Sequence, residues 1–311
     1  MSNKESLSAM ITFLETVYPL FFAKTQEGLS ALNGVFHFLL DDELPSDMEG
    51  TEQLKSAKAA IAQRNFDTQS MRKAFQLFIL QAFKDDRIAN AIMTPDGIGY
   101  FITYLIDKLY KTPPLKVLDP FCGTGNLLAT LSEGLPETTV YSGIEIHDQL
   151  VALARNYLDA LDVTHTLYQQ DSFQFTNHRF DLIVTDFPIY KKDSKAPYLP
   201  YYGILHHLDH LEANQFMICL IENDFFDTAA ADEFKKSLHE KAHLFGLLKL
   251  DESLFKAHPK SILILQKKAH ADDQLDHFLV AEIPAFDDAE AMEEALVKLN
   301  TWFKDRKDTH S

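Results

Sequence analysis

Cysteine is nearly absent from this 311-residue chain. Cys122 and Cys219 are the only two, too few for a disulfide framework and without the spacing of a metal-ligand set. No run of about 18 uninterrupted apolar residues is present, so no membrane span is expected. The opening residues, MSNKESLSAM, lack the charged-then-apolar pattern of a secretory leader. The expectation is a reduced, cytoplasmic protein with no membrane association. Positive charge is scarce as well: 29 basic residues stand against 46 acidic ones, a net charge of −17. Residues 1–95 hold 9 basic and 12 acidic groups, and residues 96–311 hold 20 and 34. Affinity for nucleic acid rests on Lys and Arg neutralising phosphates, so nothing in the composition points to tight autonomous binding of DNA. Internal repeats and low-complexity tracts are missing too.

The chain does have ample apolar material, 46% of its residues, enough for one large domain and a smaller one. Its first 90 residues read as helices. Met10, Phe13, Leu14, Val17 and Tyr18 recur at helical spacing, with Pro19 expected to interrupt them. Leu29, Leu32, Val35, Phe36 and Leu39 suggest a second helix and Gln53 to Phe66 a third. Asp67 is placed to cap a fourth, which carries Met71, Phe75, Phe78 and Ile79 on one face. From about residue 91 the pattern changes to short apolar runs alternating with helical segments. The division expected is a helical domain over 1–90 and an α/β domain over 91–311.

The stretch Leu115 to Leu128, LKVLDPFCGTGNLL, organises the second part. A short apolar strand ends in Asp119, two glycines follow at 123 and 125, and helical spacing resumes after Asn126. Glycines there permit a sharp turn and let a ligand approach bare amides at a helix start. Asp119 would repel a pyrophosphate, so a cationic or zwitterionic ligand suits the loop better. Two further acids end later strands: Glu145, followed by Ile146, and Asp171, followed by Ser172 and Phe173. Ligands of open α/β sheets bind at such strand ends. Glu145, about twenty residues past the loop, is spaced to accept ribose hydroxyls.

Asp119-Pro120-Phe121-Cys122-Gly123-Thr124-Gly125-Asn126 resembles the first motif of S-adenosylmethionine (SAM)-dependent methyltransferases. It is most similar to that of adenine-N6 DNA methylases and type I restriction-modification methylase subunits. The resemblance runs from about residue 90 to 268. It implies a class I methyltransferase fold, a Rossmann-like, mostly parallel seven-stranded sheet, here preceded by the all-α region. It also implies SAM as cofactor. In that family a Thr-Pro pair, here Thr94-Pro95, contacts the methionine end. Asp119, Phe121, Gly123, Gly125 and Asn126 would form the loop around the cofactor, and Glu145 and Ile146 would meet the ribose. Asp171 would take the adenine amino group, with Ser172 and Phe173 beside the ring.

The family's catalytic signature, Asn/Asp/Ser-Pro-Pro-aromatic, maps onto Asp186-Phe187-Pro188-Ile189. A side-chain oxygen and the next carbonyl accept the two hydrogens of an exocyclic amine, and the aromatic residue stacks on the target ring. Asp186 and Pro188 are kept, while Phe187 replaces the first proline and Ile189 fills the aromatic slot. Tyr190 is the expected displaced stacker, with Tyr198, Tyr201 and Tyr202 further on. Lys191, Lys192 and Lys195 form the best local basic cluster, positioned for phosphate contact or simply solvated. His206, His207 and His210 share a helix, but no converging ligand set is visible in the sequence, and no metal is expected. Residues 269–311 hold 4 basic and 11 acidic groups and read as a strand and an amphipathic helix, an acidic extension.

Three functions remain open at this point. One is SAM-dependent N-methylation most like that of adenine in DNA, with a separate protein partner supplying sequence choice, because no target-recognition domain is evident. Another is a SAM-binding module without methylation. The last is methylation of protein glutamine or of RNA. The oligomeric state is open.

Overall fold

The computed structural model describes residues 3–88, 93–188, 198–255, 257–275 and 277–309. The elements in it are helices α1 (Asn3–Thr25), α2 (Gly28–Asp41), α3 (Thr51–Ile61), α4 (Thr68–Asp85), α5 (Asp96–Leu109), α6 (Asn126–Ser132), α7 (Asp148–Ala160), α8 (Leu199–His207), α9 (Ala231–Lys241) and α10 (Ala289–Thr309). The strands are β1 (Lys116–Asp119), β2 (Val140–Glu145), β3 (His165–Gln169), β4 (Phe180–Asp186), β5 (Leu211–Glu222), β6 (Ala242–Leu250), β7 (Lys260–Lys267) and β8 (Leu279–Ile283). Strand order is β3-β2-β1-β4-β5-β7-β6-β8, a class I methyltransferase sheet with one strand more than the seven expected. The additional strand is β8 of the acidic extension, which pairs in parallel with β6 and so belongs to the sheet.

Contacts divide the chain into two compact units, Met1–Thr94 with Cys122–Gln170 and Pro95–Phe121 with Asp171–Ser311. The boundary expected at residue 90 is therefore corrected: the helical region shares its core with the segment that follows the glycine loop. The reason lies in side chains that periodicity does not reveal. Fully buried Arg72 of α4 donates through Nε to Glu133 at 2.6 Å and through Nη1 to Thr130 at 3.3 Å. Asn33 of α2 donates to the Gln149 carbonyl and accepts from Asn156 of α7. The ring of Tyr157 meets Phe36 and Phe75.

Within this first unit α1 runs through Pro19 without a break. Pro19 faces solvent, where water can satisfy the carbonyl that loses its helical partner. Although α1 is apolar and long enough by composition to cross a membrane, it buries Met10, Phe13, Leu14, Val17, Tyr18 and Phe21 in the protein core. Asp67 caps α4 as expected, accepting from the Ser70 amide at 2.8 Å. Strands β2 and β3 pair in parallel from Tyr141↔His165 to Glu145↔Gln169.

In the second unit β1, β4 and β5 are parallel, while β7 runs antiparallel between β5 and β6. Leu182–Val184, Met217–Ile221 and Ile262–Leu265 are buried throughout, the continuous apolar runs of strands covered on both faces. Because β7 is reversed, its first residue, Lys260, lies at the same sheet end as Asp186, the last residue of β4. The extension packs here too: Trp302 of α10 meets Phe245 of β6 at 5.7 Å, and Tyr104 of α5 donates to Asn300.

Candidate functional site

Residues expected around a cofactor lie in each of the two units. In the first, the loop after Cys122 turns on two left-handed glycines, Gly123 at φ 52° and Gly125 at φ 76°. Both conformations are strained for any residue with a Cβ. The loop is tied down by Cys122 N–H donating to the Ile144 carbonyl and by Gly125 N–H donating to that of Cys122. A third glycine makes the approach possible: a Cβ on Gly143 would stand 2.7 Å from Cys122 Sγ. Glu145 accepts from the Gly123 amide through Oε2 at 3.1 Å and from the His147 amide through Oε1 at 2.9 Å. Two backbone donors thus aim this carboxylate, and an ionised carboxylate has lone pairs beyond these two bonds. Ile146 beside it is exposed by 60%, an apolar surface next to an acid.

Asn126 and Thr94 have a different task in the structure. The Asn126 amide donates to the Thr94 carbonyl at 2.7 Å, and its Oδ1 accepts from Gln76 at 2.7 Å and from the Tyr157 hydroxyl at 3.2 Å. Asn126 and Thr94 are both buried. This asparagine fastens the loop helix to α4, to α7 and to the residue preceding Pro95, and so positions the backbone a ligand would meet.

In the second unit Asp119 is buried and accepts the Phe121 amide at 3.1 Å. It also stands near Cys219, whose thiol pKa is pushed well up, first by burial and then by this acid. Asp171 accepts the Phe173 amide at 3.0 Å and so starts a 3-10 turn over Ser172–Gln174. Ser172 donates to the Pro120 carbonyl at 2.6 Å. Phe121 meets Phe173 at 6.2 Å and Phe187 at 5.4 Å.

At the end of β4 the catalytic-motif residues have a partner that the sequence reading did not name. Lys260, almost fully buried, forms an ion pair with Asp186 and reaches the Phe187 carbonyl at 3.5 Å. The signal was visible, a lysine opening an otherwise apolar strand, but residues 74 positions apart give no periodic clue to their pairing. Phe187 points into the core, where Gly203 leaves room for its ring; a Cβ there would stand 2.7 Å away. Pro188 is exposed. Tyr190, like Ile189, Lys191, Lys192 and Lys195, lies outside the described residues. Tyr198 and Tyr201, offered as alternative stackers, are corrected: both are buried. Tyr201 stacks on Phe234 at 4.1 Å and donates to the Phe225 carbonyl. Tyr202 is exposed by 56%. The three histidines at the end of α8, which showed no converging ligand set in the sequence, converge in the structure, with Phe121, Phe173 and Phe175 against them.

Comparison with known proteins agrees with this geometry. A family model described as a methyltransferase domain matches residues 111–254. The Bacillus subtilis (strain 168) protein YtxK, itself uncharacterised, is 34% identical over 283 residues, covering 85% of this chain and 86% of that protein. A Listeria monocytogenes crystal structure, provisionally described as a class I SAM-dependent methyltransferase, superposes with a TM-score of 0.86 at 24% identity. It covers 96% of this chain and 99% of its own. The methyltransferase subunit of a type I restriction-modification system from Streptococcus thermophilus gives a TM-score of 0.63 at 19% identity, over 95% and 74% of the two chains. At these identities the two structures speak for the fold.

Proposed function

This chain belongs to the family of the Bacillus protein and carries a methyltransferase domain, with SAM as its cofactor, and we propose that it transfers a methyl group to an exocyclic amino nitrogen, most like adenine N6. The residues fit such a cofactor. The left-handed glycines leave the loop backbone uncovered by side chains, the Glu145 carboxylate has acceptor capacity to spare for ribose hydroxyls, and Ile146 offers an apolar face beside it. Asp171 and Phe173 are assigned to the adenine amino group and ring. Asp119 and Phe121 are assigned to the methionine end, and Asn126, with Thr94, holds the loop backbone in place.

The observation that carries the reading is the place of Lys260. Amine methylation needs two acceptors for the two hydrogens of the target nitrogen, a side-chain oxygen and the following carbonyl. In this protein the Asp186 carboxylate and the Phe187 carbonyl already receive the ammonium of Lys260. The pair is thus arranged to hold an amino group, and here it holds one of the chain's own. When bound, the cofactor supplies a methyl group on a sulfonium sulfur, which keeps the electron pair as the new C–N bond forms. Asp186 and the Phe187 carbonyl polarise the incoming amine, and Asp186 is the nearest base for the proton that the methylated nitrogen sheds. Lys260 has to withdraw for the amine to enter. A net charge of −17 argues that any DNA contact is made with a protein partner that supplies sequence choice, the role the type I methylase likeness suggests.

The same pairing favours a second reading, a SAM-binding module whose amine site is permanently plugged. Transfer of label from tritiated SAM to DNA, RNA and protein fractions separates the two. Wild type is expected to label a fraction, Asp186→Ala to lose at least about 100-fold in rate, and SAM affinity by calorimetry to stay within about twofold. Lys260→Met, checked for folding, is expected to raise amine acceptance. If neither wild type nor Lys260→Met labels any fraction at saturating SAM, methyl transfer is abandoned and the binding module stands.

A further inference from the structure

The histidines at the end of α8 are more than an aromatic cluster. His206 and His207 close the helix, and His210 follows in the 3-10 turn Leu208–His210. Their ring centroids are 4.8, 5.2 and 5.6 Å apart, and one ligand nitrogen from each lies within 4.8 Å of the other two. Packing alone could bring three rings together. The hydrogen bonds around them say more, because they decide which ring nitrogens carry hydrogens.

Ser172 has one hydroxyl hydrogen, and it goes to the Pro120 carbonyl at 2.6 Å, a group that can only accept. Toward His207 Nε2, at 2.9 Å, the hydroxyl must therefore act as acceptor, so Nε2 bears a hydrogen. A neutral ring protonated at Nε2 has a bare lone pair on Nδ1. That Nδ1 is buried and has no hydrogen-bond partner among the described residues, on a side chain with no exposure at all. His206 Nε2 faces the Phe175 carbonyl and His210 Nδ1 the His178 carbonyl, each at 3.3 Å. Carbonyls only accept, so these nitrogens carry hydrogens, and a neutral ring then has its lone pair on the opposite nitrogen. The Phe175 carbonyl also comes within reach of His210.

We propose that His206, His207 and His210 form a binding site for one divalent first-row transition ion of the zinc class, with remaining coordination positions left to water or an outside ligand. Metal-bound histidines characteristically donate their second ring N–H to a carbonyl or similar acceptor, which fixes the tautomer and aims the lone pair. All three here are arranged that way. Imidazole suits zinc, copper and nickel, whereas calcium and magnesium want oxygen ligands. Metal–nitrogen distances of about 2.0–2.1 Å put tetrahedral ligand atoms roughly 3.4 Å apart, so binding draws the rings together by about an ångström. Nearby charges do not compete for the position. Asp209 is paired with Lys241 at 2.8 Å, and Arg179, which opposes positive charge at His210, donates to the Asp209 carbonyl. A bound ion would clamp the turn carrying Ser172 and Phe173 to α8. The site stands independently of methyl transfer.

The test uses the full chain, stripped with chelator, shown to be folded, and titrated with Co2+ and then Zn2+. One Co2+ per chain with visible ligand-field bands, displaced by Zn2+, is expected. His206 is half-exposed, so His206→Gln leaves the core intact; it and His210→Gln should each weaken binding at least about 100-fold. Ser172→Ala, which removes the hydroxyl that orients His207 together with its bond to the Pro120 carbonyl, should cost about 10–100-fold, and His239→Gln on α9 should change nothing. Absence of stoichiometric binding by folded wild type, or undiminished binding in the His206→Gln/His210→Gln double variant, overturns the proposal.

Discussion

Single residues carry more of this protein's organisation than their motif positions suggest. Asn126 closes the glycine motif, yet its side chain makes three hydrogen bonds to Thr94, Gln76 and Tyr157. Asn126→Ala removes all three at about 1 kcal/mol net each, so a loss of about 3 kcal/mol is expected in urea denaturation. Asn126→Asp keeps the acceptor but sets a carboxylate against the Thr94 carbonyl, and should be no better. A loss below about 0.5 kcal/mol would show that these bonds are replaced by water. The sequence made Asn126 legible as a motif member, because motif spacing is local. Its partners were not legible: Gln76 lies 50 residues upstream on a helix that reads only as amphipathic. Lys260 was missed, and the convergence of His206, His207 and His210 was not visible, for a related reason. Convergence at a sheet end or a helix end is set by topology, which composition and period do not encode.

At the scale of elements the sequence was a better guide, since burial on one face imposes a period. Strands β1, β2 and β4 to β7 correspond to largely apolar runs, β3 being mixed, and helix α1 departs from expectation by continuing through Pro19. What escaped was how the elements are joined. Helix α2 begins at Gly28 with no side-chain cap of its own. Its first amides, those of Gly28 and Leu29, donate instead to the two oxygens of Asp86, at the far end of α4. A carboxylate at a helix N-terminus meets both the unpaired donors and the helix dipole. Gly28 itself is required by this approach, because a Cβ would stand 2.3 Å from the Ala82 carbonyl oxygen. Removing such a cap typically costs about 0.5–2 kcal/mol. Asp86→Ala is therefore expected to lose about 1–2 kcal/mol, and Asp86→Asn, which keeps an acceptor without the charge, roughly half of that. Hydrogen exchange should localise the effect to the Gly28 and Leu29 amides. Equal exchange in wild type and Asp86→Ala would rule the cap out.

For the whole molecule, buried tyrosines set the alkaline limit of stability. Tyr18, Tyr110, Tyr141 and Tyr198 all have pKa values raised above the usual 10, each chiefly by burial, which penalises the phenolate. Folding thus keeps these groups protonated while the unfolded chain ionises near pH 10. The stabilisation is complete below pH 10 and is lost as pH rises from there toward the folded-state values. Each such tyrosine contributes a slope of about 1.4 kcal/mol per pH unit, so four together should make the decline steep. Tyr141 gives the cleanest test. Its hydroxyl is buried without a hydrogen-bond partner among the described residues, and Thr139 stands near enough to act on it. Tyr141→Phe removes a buried polar atom that gains nothing from folding, so stability at pH 8 should be unchanged or higher by up to about 1 kcal/mol. Above pH 10 the variant should lose stability with a slope shallower by one proton. Urea denaturation at intervals from pH 8 upward reads both effects in one series. Parallel curves for the two proteins would mean that Tyr141 ionises as readily folded as unfolded, and that water reaches a hydroxyl the fold shows as sealed.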